Sequence, residues 1–306
     1  MKNIAREKFQ GVYGLVLTPF KDNYEIDEKA LRRETRLMVD NGVHVITPVG
    51  STGEFASLTI DEHKKVIEIV GDEVKGDATF IPGTSGCSQE VVLDLMGFAK
   101  KAGADAVMVL PPYYFGILTD EAVFEWYQAL AKADIGIVIY NNPMLTKFNQ
   151  PPELLNRLAE LDHIVGVKEA HAQSIQFYKT LRLVGDKIPI MEGMGEPHAL
   201  EAILLGADGF YTGVPAFAPK LCVALYNALK ERDLEESIRL ADIFEKYYRL
   251  FFFQGTCKFI ANYKASFEYF GGGSSVTRLP ILPITKDEKE KLIEALSMMK
   301  EEEEKL

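Results

Sequence analysis

The chain has 306 residues, is 47% hydrophobic and 26% charged, and carries a net charge of −11 at pH 7. Those are the proportions of a globular protein of one large domain or two ordinary ones. The acidic balance argues against nucleic acid or an anionic membrane as partner, because both call for basic patches, but it leaves room for a small anionic substrate held by local groups.

Short apolar runs alternate with helical patterns from Gly14 to about Lys230. The predicted strands are Gly14–Phe20, His44–Gly50, Ala78–Thr84, Ala106–Leu110, Gly136–Tyr140, Ile164–Lys168, Ile188–Glu192 and Gly209–Gly213. Amphipathic segments lie between them, and several have clear starts. Asp27 precedes a run to Asp40, and Thr59-Ile60-Asp61-Glu62 places a carboxylate three residues after a threonine, the pattern of a capping box. Ser88, Thr119 and Ser174 are further cap candidates. Pro151-Pro152 and Pro197 fall where a first helical turn tolerates proline. Strands alternating with helices and apolar on both faces predict a parallel (β/α)₈ barrel over 1–230. An open doubly wound sheet is the alternative. Gly50-Ser51-Thr52-Gly53-Glu54 does not match the glycine fingerprint such a sheet places after a strand to hold a dinucleotide. Beyond residue 231 the pattern changes to three helices, Asp233–Phe253, Thr256–Phe270 and Lys286–Lys305, expected to pack on the barrel as a helical extension over 231–306. The closing Glu301-Glu302-Glu303-Glu304 run is expected to be solvated.

Cys87, Cys222 and Cys257 are widely separated and show neither metal spacing nor a disulfide framework, which points to a reducing compartment. The N-terminus lacks an apolar signal core, and no apolar run reaches the ~18 residues of a membrane span. A cytoplasmic location is expected by elimination.

Reacting groups of a (β/α)₈ barrel come from the carboxyl ends of its strands and the loops that follow. Lys168 closes the strand Ile164-Val165-Gly166-Val167-Lys168. Burial disfavours an ammonium, and a neutral amine is a nucleophile that forms Schiff bases with ketones. A lysine in this place can also simply snorkel from the strand end or pair with Glu169. At the same rim lie Gly50-Ser51-Thr52-Gly53-Glu54, Tyr113-Tyr114, and Tyr140-Asn141-Asn142-Pro143. Alone, each of these reads as a turn residue, a cap or packing. Together, tyrosines and a hydroxyl offer an amine a proton shuttle, and a glycine-flanked loop frees backbone N–H groups for a carboxylate.

With these motifs in view, the chain resembles the dihydrodipicolinate synthase / N-acetylneuraminate lyase family, the pyruvate-type class I aldolases. The resemblance runs from Thr18-Pro19-Phe20 to Arg278-Leu279-Pro280-Ile281-Leu282-Pro283-Ile284 and rests on the Gly-Ser-Thr-Gly-Glu loop, the Tyr-Asn-x-Pro strand end and Gly166-Val167-Lys168-Glu169. It implies a barrel with C-terminal helices, assembled as a homotetramer of tight dimers, with no cofactor and no metal. By the same resemblance Lys168 forms the imine with a 2-oxo acid, Tyr140 shuttles protons, Ser51 links it to a second tyrosine, and Tyr114 completes that relay. Tyr113 is expected to reach across the dimer interface, with the two neighbours open to exchange by one position. Thr52, with Gly50 and nearby amides, is expected to grip the carboxylate, and Gly193, Gly213, Leu145 and Glu196 to border the rest of the substrate.

Two departures bear on the substrate. Dihydrodipicolinate synthases carry an arginine two residues after the proline of Tyr-Asn-x-Pro, where this chain has Leu145, and a leucine cannot make the bidentate contact with a carboxylate. Neuraminate lyases carry a threonine two residues after the lysine and an Asp-Glu pair for the sugar chain, where this chain has Ala170 and, in Gly193-Met194-Gly195-Glu196, a single acid. Glu196 is also placed to cap the helix that follows it. A 2-oxo-3-deoxy sugar acid, or pyruvate with an aldehyde, is therefore the expected substrate, with dihydrodipicolinate synthesis and neuraminate cleavage as alternatives. Cleavage and dehydration share one imine and are not separated here. A metal aldolase would need ligands that only His171 and His198 are placed to supply. A non-catalytic 2-oxo-acid sensor would have no use for the relay.

Overall fold

The computed structural model describes residues 4–115, 118–252 and 258–306. Cys257 and the expected helix ends at Phe253 and Thr256 lie outside them. Among the described residues, eight strands form one parallel sheet: β1 (Gly11–Leu15), β2 (Val45–Thr47), β3 (Thr79–Phe80), β4 (Ala106–Val109), β5 (Gly136–Asn141), β6 (Ile164–Glu169), β7 (Ile190–Glu192) and β8 (Gly209–Thr212). Their order is β3-β2-β1-β8-β7-β6-β5-β4, so the sheet curls back on itself. A single parallel bridge, Gly83 to Met108, joins its two ends, with Thr84 N donating to Met108 O at 3.0 Å. Side chains alternate across each strand. Tyr13, Val45, Ile81, Met108, Val138, Met191 and Tyr211 fill the barrel interior, while Ile46, Val107, Ile139, Val167, Ile190 and Phe210 face the surrounding helices. The sheet is thus buried on both faces, which is why its strands read as continuous apolar runs.

The helices are α1 (Glu28–Asp40), α2 (Ile60–Val74), α3 (Gln89–Lys101), α4 (Asp120–Ala129), α5 (Pro143–Thr146), α6 (Pro152–Leu158), α7 (Ser174–Val184), α8 (Glu196–Leu205), α9 (Pro219–Glu231), α10 (Leu234–Phe252), α11 (Lys258–Tyr269) and α12 (Lys286–Lys305). The expected starts hold where a side chain reaches an unpaired N–H. Asp27 accepts from Ala30 N, Thr119 from Ala122 N, and Thr59 and Glu62 close a reciprocal capping box. Ser88 stands at its cap position without a side-chain bond, and Ser174 lies inside α7, donating to Glu201 at 2.8 Å. The one-turn α5 has no periodic signature. Pro143 begins it, and Asn142 caps it by accepting from Leu145 N at 3.2 Å.

The first predicted strand differs in extent. It begins at Gly11 and ends at Leu15; Val16 N still bonds Thr47 O of β2 at 3.1 Å, and the chain leaves the ladder at Leu17, whose N–H bonds the buried Glu34 carboxylate at 2.6 Å. The acidic tail also differs from expectation. Glu303 accepts from Lys220 N at 3.0 Å and Leu221 N at 2.8 Å, satisfying free donors at the start of α9, and Glu302 pairs with Arg239. The N-terminal end of a helix attracts a carboxylate.

The helices after β8 hold the carboxyl-end rim of the barrel from behind. Lys264 of α11 is fully buried, pairs with Glu54, donates to Val276 O at 2.8 Å and lies 3.9 Å from the Phe20 ring centre. Arg278 bonds Glu62 and the Tyr24 carbonyl, and its N–H donates to Glu54 at 3.1 Å. Residues 50–53 are thereby fixed between Val49 at φ 58° and Glu54 at φ 56°. A positive φ is an outlier for a β-branched valine and costs on the order of 1–3 kcal/mol, so it persists only where its surroundings over-determine it. Among the described residues, no helix is long and apolar enough to cross a membrane.

Candidate active site

Lys168 is the last inward-facing residue of β6 and only 2% exposed. Its Nζ sits 4.0 Å from the ring centre of Tyr140 and 4.3 Å from that of Tyr211. Burial pushes the amine below its ordinary range, and Tyr140 and the Glu192 charge offset part of that. Strand alternation decides the alternative pairing: Glu169 faces the other side of β6. It accepts from Asn141 Nδ2 at 2.8 Å and Thr180 Oγ1 at 3.1 Å, and burial pushes its carboxyl up to about 8. Glu192, its neighbour in register on β7, accepts from Met194 N at 2.5 Å and Gly195 N at 2.8 Å and is also raised by burial to about 8. The acids nearest the lysine in sequence and register are therefore bonded elsewhere.

Tyr140 projects inward from β5 beside Lys168, 5% exposed. Its hydroxyl accepts from Asn142 Nδ2 at 2.9 Å, and Gln150 Nε2 holds its carbonyl at 3.2 Å. Asn142 thus joins the tyrosine hydroxyl to the start of α5, a link that the sequence reading missed. The available signal was a polar side chain between Asn141 and Pro143, a position that reads as an ordinary turn. Ser51 Oγ is buried and meets no hydrogen-bond partner among the described residues, so the expected Ser51–Tyr140 link is not formed in this chain on its own. Gly53 N and Phe55 N both return to Gly50 O, and Thr18 Oγ1 bonds Gly53 O at 2.6 Å, which folds Gly50-Ser51-Thr52 into a tight turn with Thr52 buried.

Of the two neighbouring tyrosines, Tyr113 packs edge-on against Phe55 with ring centres 6.0 Å apart, beside Cys87. Tyr114 is 82% exposed. Within one chain Tyr113 is thus turned towards the rim and Tyr114 outwards, and the two remain open to exchange of the expected roles. Leu145, on α5, is 39% exposed at the same rim. Gly193 and Gly213 are explained by close approach. A Cβ at Gly193 would lie 2.7 Å from Ala170 Cβ, and one at Gly213 would lie 3.0 Å from the Tyr263 ring. Glu196 does not face the barrel mouth. It is 1% exposed and accepts from Thr212 Oγ1 at 2.6 Å, Tyr248 OH at 2.6 Å and Cys222 Sγ at 3.2 Å, and it also meets its own backbone N–H in the first turn of α8. His63 and His163 bond the Gly83 and Tyr127 carbonyls inside the protein, while His171 Nδ1 accepts from Gln173 N in the loop after β6.

A buried amine between two rings, a tyrosine hydroxyl beside it and a tight glycine-flanked turn across the barrel mouth form a site suited to carbonyl chemistry. Comparison with known proteins agrees. The Dihydrodipicolinate synthetase family matches residues 8–299. The chain belongs to that family. A 4-hydroxy-tetrahydrodipicolinate synthase of Methanothrix thermoacetophila is 31% identical over 292 residues, covering 95% of this chain and 97% of its own. One from Nitrobacter hamburgensis is 34% identical over 282 residues, covering 92% and 93%. The crystal structure of dihydrodipicolinate synthase from Aquifex aeolicus superposes with a TM-score of 0.89 at 28% identity, covering 95% of this chain and 98% of that one. A dihydrodipicolinate synthase variant described as monomeric superposes with a TM-score of 0.89 at 29% identity, covering 96% and 98%. The protein is an enzyme of the lyase kind, in a family of pyruvate-type class I aldolases.

The carboxyls behind β6 and β7 give stability a definite pH dependence. An unfolded glutamate titrates at ~4.3, whereas burial pushes the Glu169 carboxyl in the fold up to about 8. Between these values the folded state binds the extra proton, so its contribution is complete below the lower value and is lost as pH rises towards 8. Urea unfolding should show stability falling from pH 5.5 to 7.5. Glu169→Gln, which imitates the protonated acid, should flatten that fall by up to about 1.4 kcal/mol per pH unit. Equal slopes in the two proteins would mean that Glu169 is ionised.

Proposed function

We propose that the protein is a Schiff-base-forming lyase acting on a 2-oxo acid, with Lys168 as nucleophile and Tyr140 as proton carrier. The observation that supports this most is the Lys168 amine buried at the carboxyl end of β6, in contact with Tyr140 and depressed below its ordinary range. The neutral amine adds to the C2 carbonyl. The resulting carbinolamine takes a proton at its hydroxyl through Tyr140 and loses water, leaving an iminium. Cleavage of the C3–C4 bond then sends its electron pair into the iminium, forms an enamine and releases an aldehyde as the C4 hydroxyl gives up its proton. Protonation at C3 and hydrolysis return pyruvate and the free lysine. Dehydration shares the imine and departs by loss of the C3 proton and the C4 hydroxyl. In this reading the Ser51-Thr52 turn holds the substrate carboxylate, and Asn142 orients the Tyr140 hydroxyl.

The relatives are named 4-hydroxy-tetrahydrodipicolinate synthase, and the family resemblance makes aspartate semialdehyde, whose carboxylate the arginine of such synthases clamps, a candidate partner for pyruvate. Leu145 speaks against it, since no arginine stands there to meet the carboxylate of that substrate. The engagement of Glu196 by Thr212, Tyr248 and Cys222 speaks against a long polar sugar chain. A 2-oxo-3-deoxy sugar acid of modest length, or pyruvate with a short aldehyde, remains the preferred substrate class. Assembly as a homotetramer is part of the proposal. The exposure of Tyr114 supports that tyrosine, and not Tyr113, as the one meeting a neighbouring subunit, and sedimentation combined with assay of each species reads this out.

Borohydride reduction in the presence of pyruvate should add the mass of a reduced pyruvyl group to the peptide containing Lys168, and Lys168→Met should abolish both adduct and turnover. An adduct on a different lysine would refute the assignment. For the substrate, a missing bidentate contact costs about 2–5 kcal/mol, roughly 30-fold to several thousand-fold in kcat/KM. Wild-type condensation of pyruvate with aspartate semialdehyde should be weak, and Leu145→Arg should raise it. Efficient wild-type condensation would show that another basic group replaces the arginine.

A further inference from the structure

We propose that the ring face of Tyr211 is a catalytic element of this site, stabilising the iminium cation that Lys168 forms with the substrate. The proposal rests on the reading of Lys168 as the Schiff-base lysine and adds a residue that the sequence motifs did not single out. Tyr211 lies on β8, faces the barrel interior and is 1% exposed. Its position is fixed from the far side by Tyr13, its partner in register on β1, with ring centres 4.2 Å apart and planes tilted by 35°. The Lys168 nitrogen, the atom that reacts, sits 4.3 Å from the Tyr211 ring centre, well within the ~6 Å reach of cation–ring attraction.

The reaction needs a neutral amine for attack and then a positive nitrogen in the same dry place. A carboxylate bonded to Nζ would meet the second need and defeat the first, because it would hold the resting lysine as ammonium. The fold bonds its nearest acids elsewhere. Glu169 faces Asn141 and Thr180, and Glu192 is bonded by the amides of Met194 and Gly195. What borders the nitrogen instead is aromatic surface. An ammonium is compact and depends on hydration, whereas a planar delocalised cation stacks on a ring, as guanidinium does. A ring face in a water-poor site therefore favours the planar iminium over the resting ammonium. The Tyr211 hydroxyl meets no hydrogen-bond partner among the described residues. The ring, not the hydroxyl, is what Tyr211 presents to Lys168. Tyr140, on the other side, also meets the lysine through its hydroxyl, which Asn142 orients, and so plays a different part.

The test is to place phenylalanine and its mono-, di- and trifluorinated analogues at position 211 in the full-length enzyme. Fluorine withdraws density from the ring face with little change of shape, and thermal unfolding checks that each variant is folded. The readouts are kcat and the equilibrium constant for the pyruvate imine, measured as the fraction of Lys168 trapped by borohydride across a pyruvate titration. The imine constant should fall stepwise with each fluorine, by roughly 5- to 30-fold from phenylalanine to the trifluorinated ring. An adduct at Lys168 whose formation is the same across the series would overturn the role of Tyr211 and leave Lys168 in place. No adduct at Lys168 in the wild type would overturn the reading beneath it as well.

Discussion

One constraint organises the proposed site: the Lys168 amine is held inside the barrel, out of water and, among the described residues, without a bonded carboxylate. The strand geometry makes that possible. Lys168 faces inward on β6, so its sequence neighbour Glu169 must face the helices, and the register of β7 carries Glu192 to the same outer side. Three acidic side chains, Glu169, Glu192 and Glu196, surround this part of the barrel, and each is held by donors of its own. Aromatic rings take the place next to the nitrogen that an acid would otherwise occupy.

The opposite wall of the site is the Gly50-Ser51-Thr52 turn, and its shape is set from a distance. A non-glycine residue in left-handed conformation bounds it on each side, and Glu54 is tied to Lys264 from α11 and to the Arg278 backbone. Burying such an ion pair adds little stability by itself, yet removing one partner leaves a buried charge at a cost of about 3–5 kcal/mol. The helices after β8 are thus coupled to the barrel rim by charge as well as by packing. Tyr263 makes the same connection to β8, leaving no space for a side chain at Gly213.

Much of this was legible in the chain. The barrel matches the expectation because alternating apolar runs and helical patterns leave few other arrangements, and most strand limits differ by only one or two residues. Lys168 and Tyr140 stood out because a strand end at the catalytic face is where a polar residue has few structural duties. What escaped notice depends on partners far away in sequence or on local turns without periodicity. Asn142 reads as a turn residue until its amide is found on the Tyr140 hydroxyl. Tyr211 reads as strand packing until the lysine is placed over its ring. Glu303 reads as part of a solvated run until α9 presents two free amides to it. Glu196 showed the converse: its sequence position near a substrate motif did not reveal that Thr212, Cys222 and Tyr248 would enclose it.

The proposed chemistry depends on the state of the Lys168 amine before substrate arrives. Lysine labelled with ¹³C at Cε, with the Lys168 signal assigned by its loss in Lys168→Met, gives that state directly as chemical shift against pH. Burial and the absence of a bonded carboxylate predict a titration below the ordinary lysine value of ~10.4. A Lys168 signal that titrates together with the exposed lysines, or above them, would contradict the central claim.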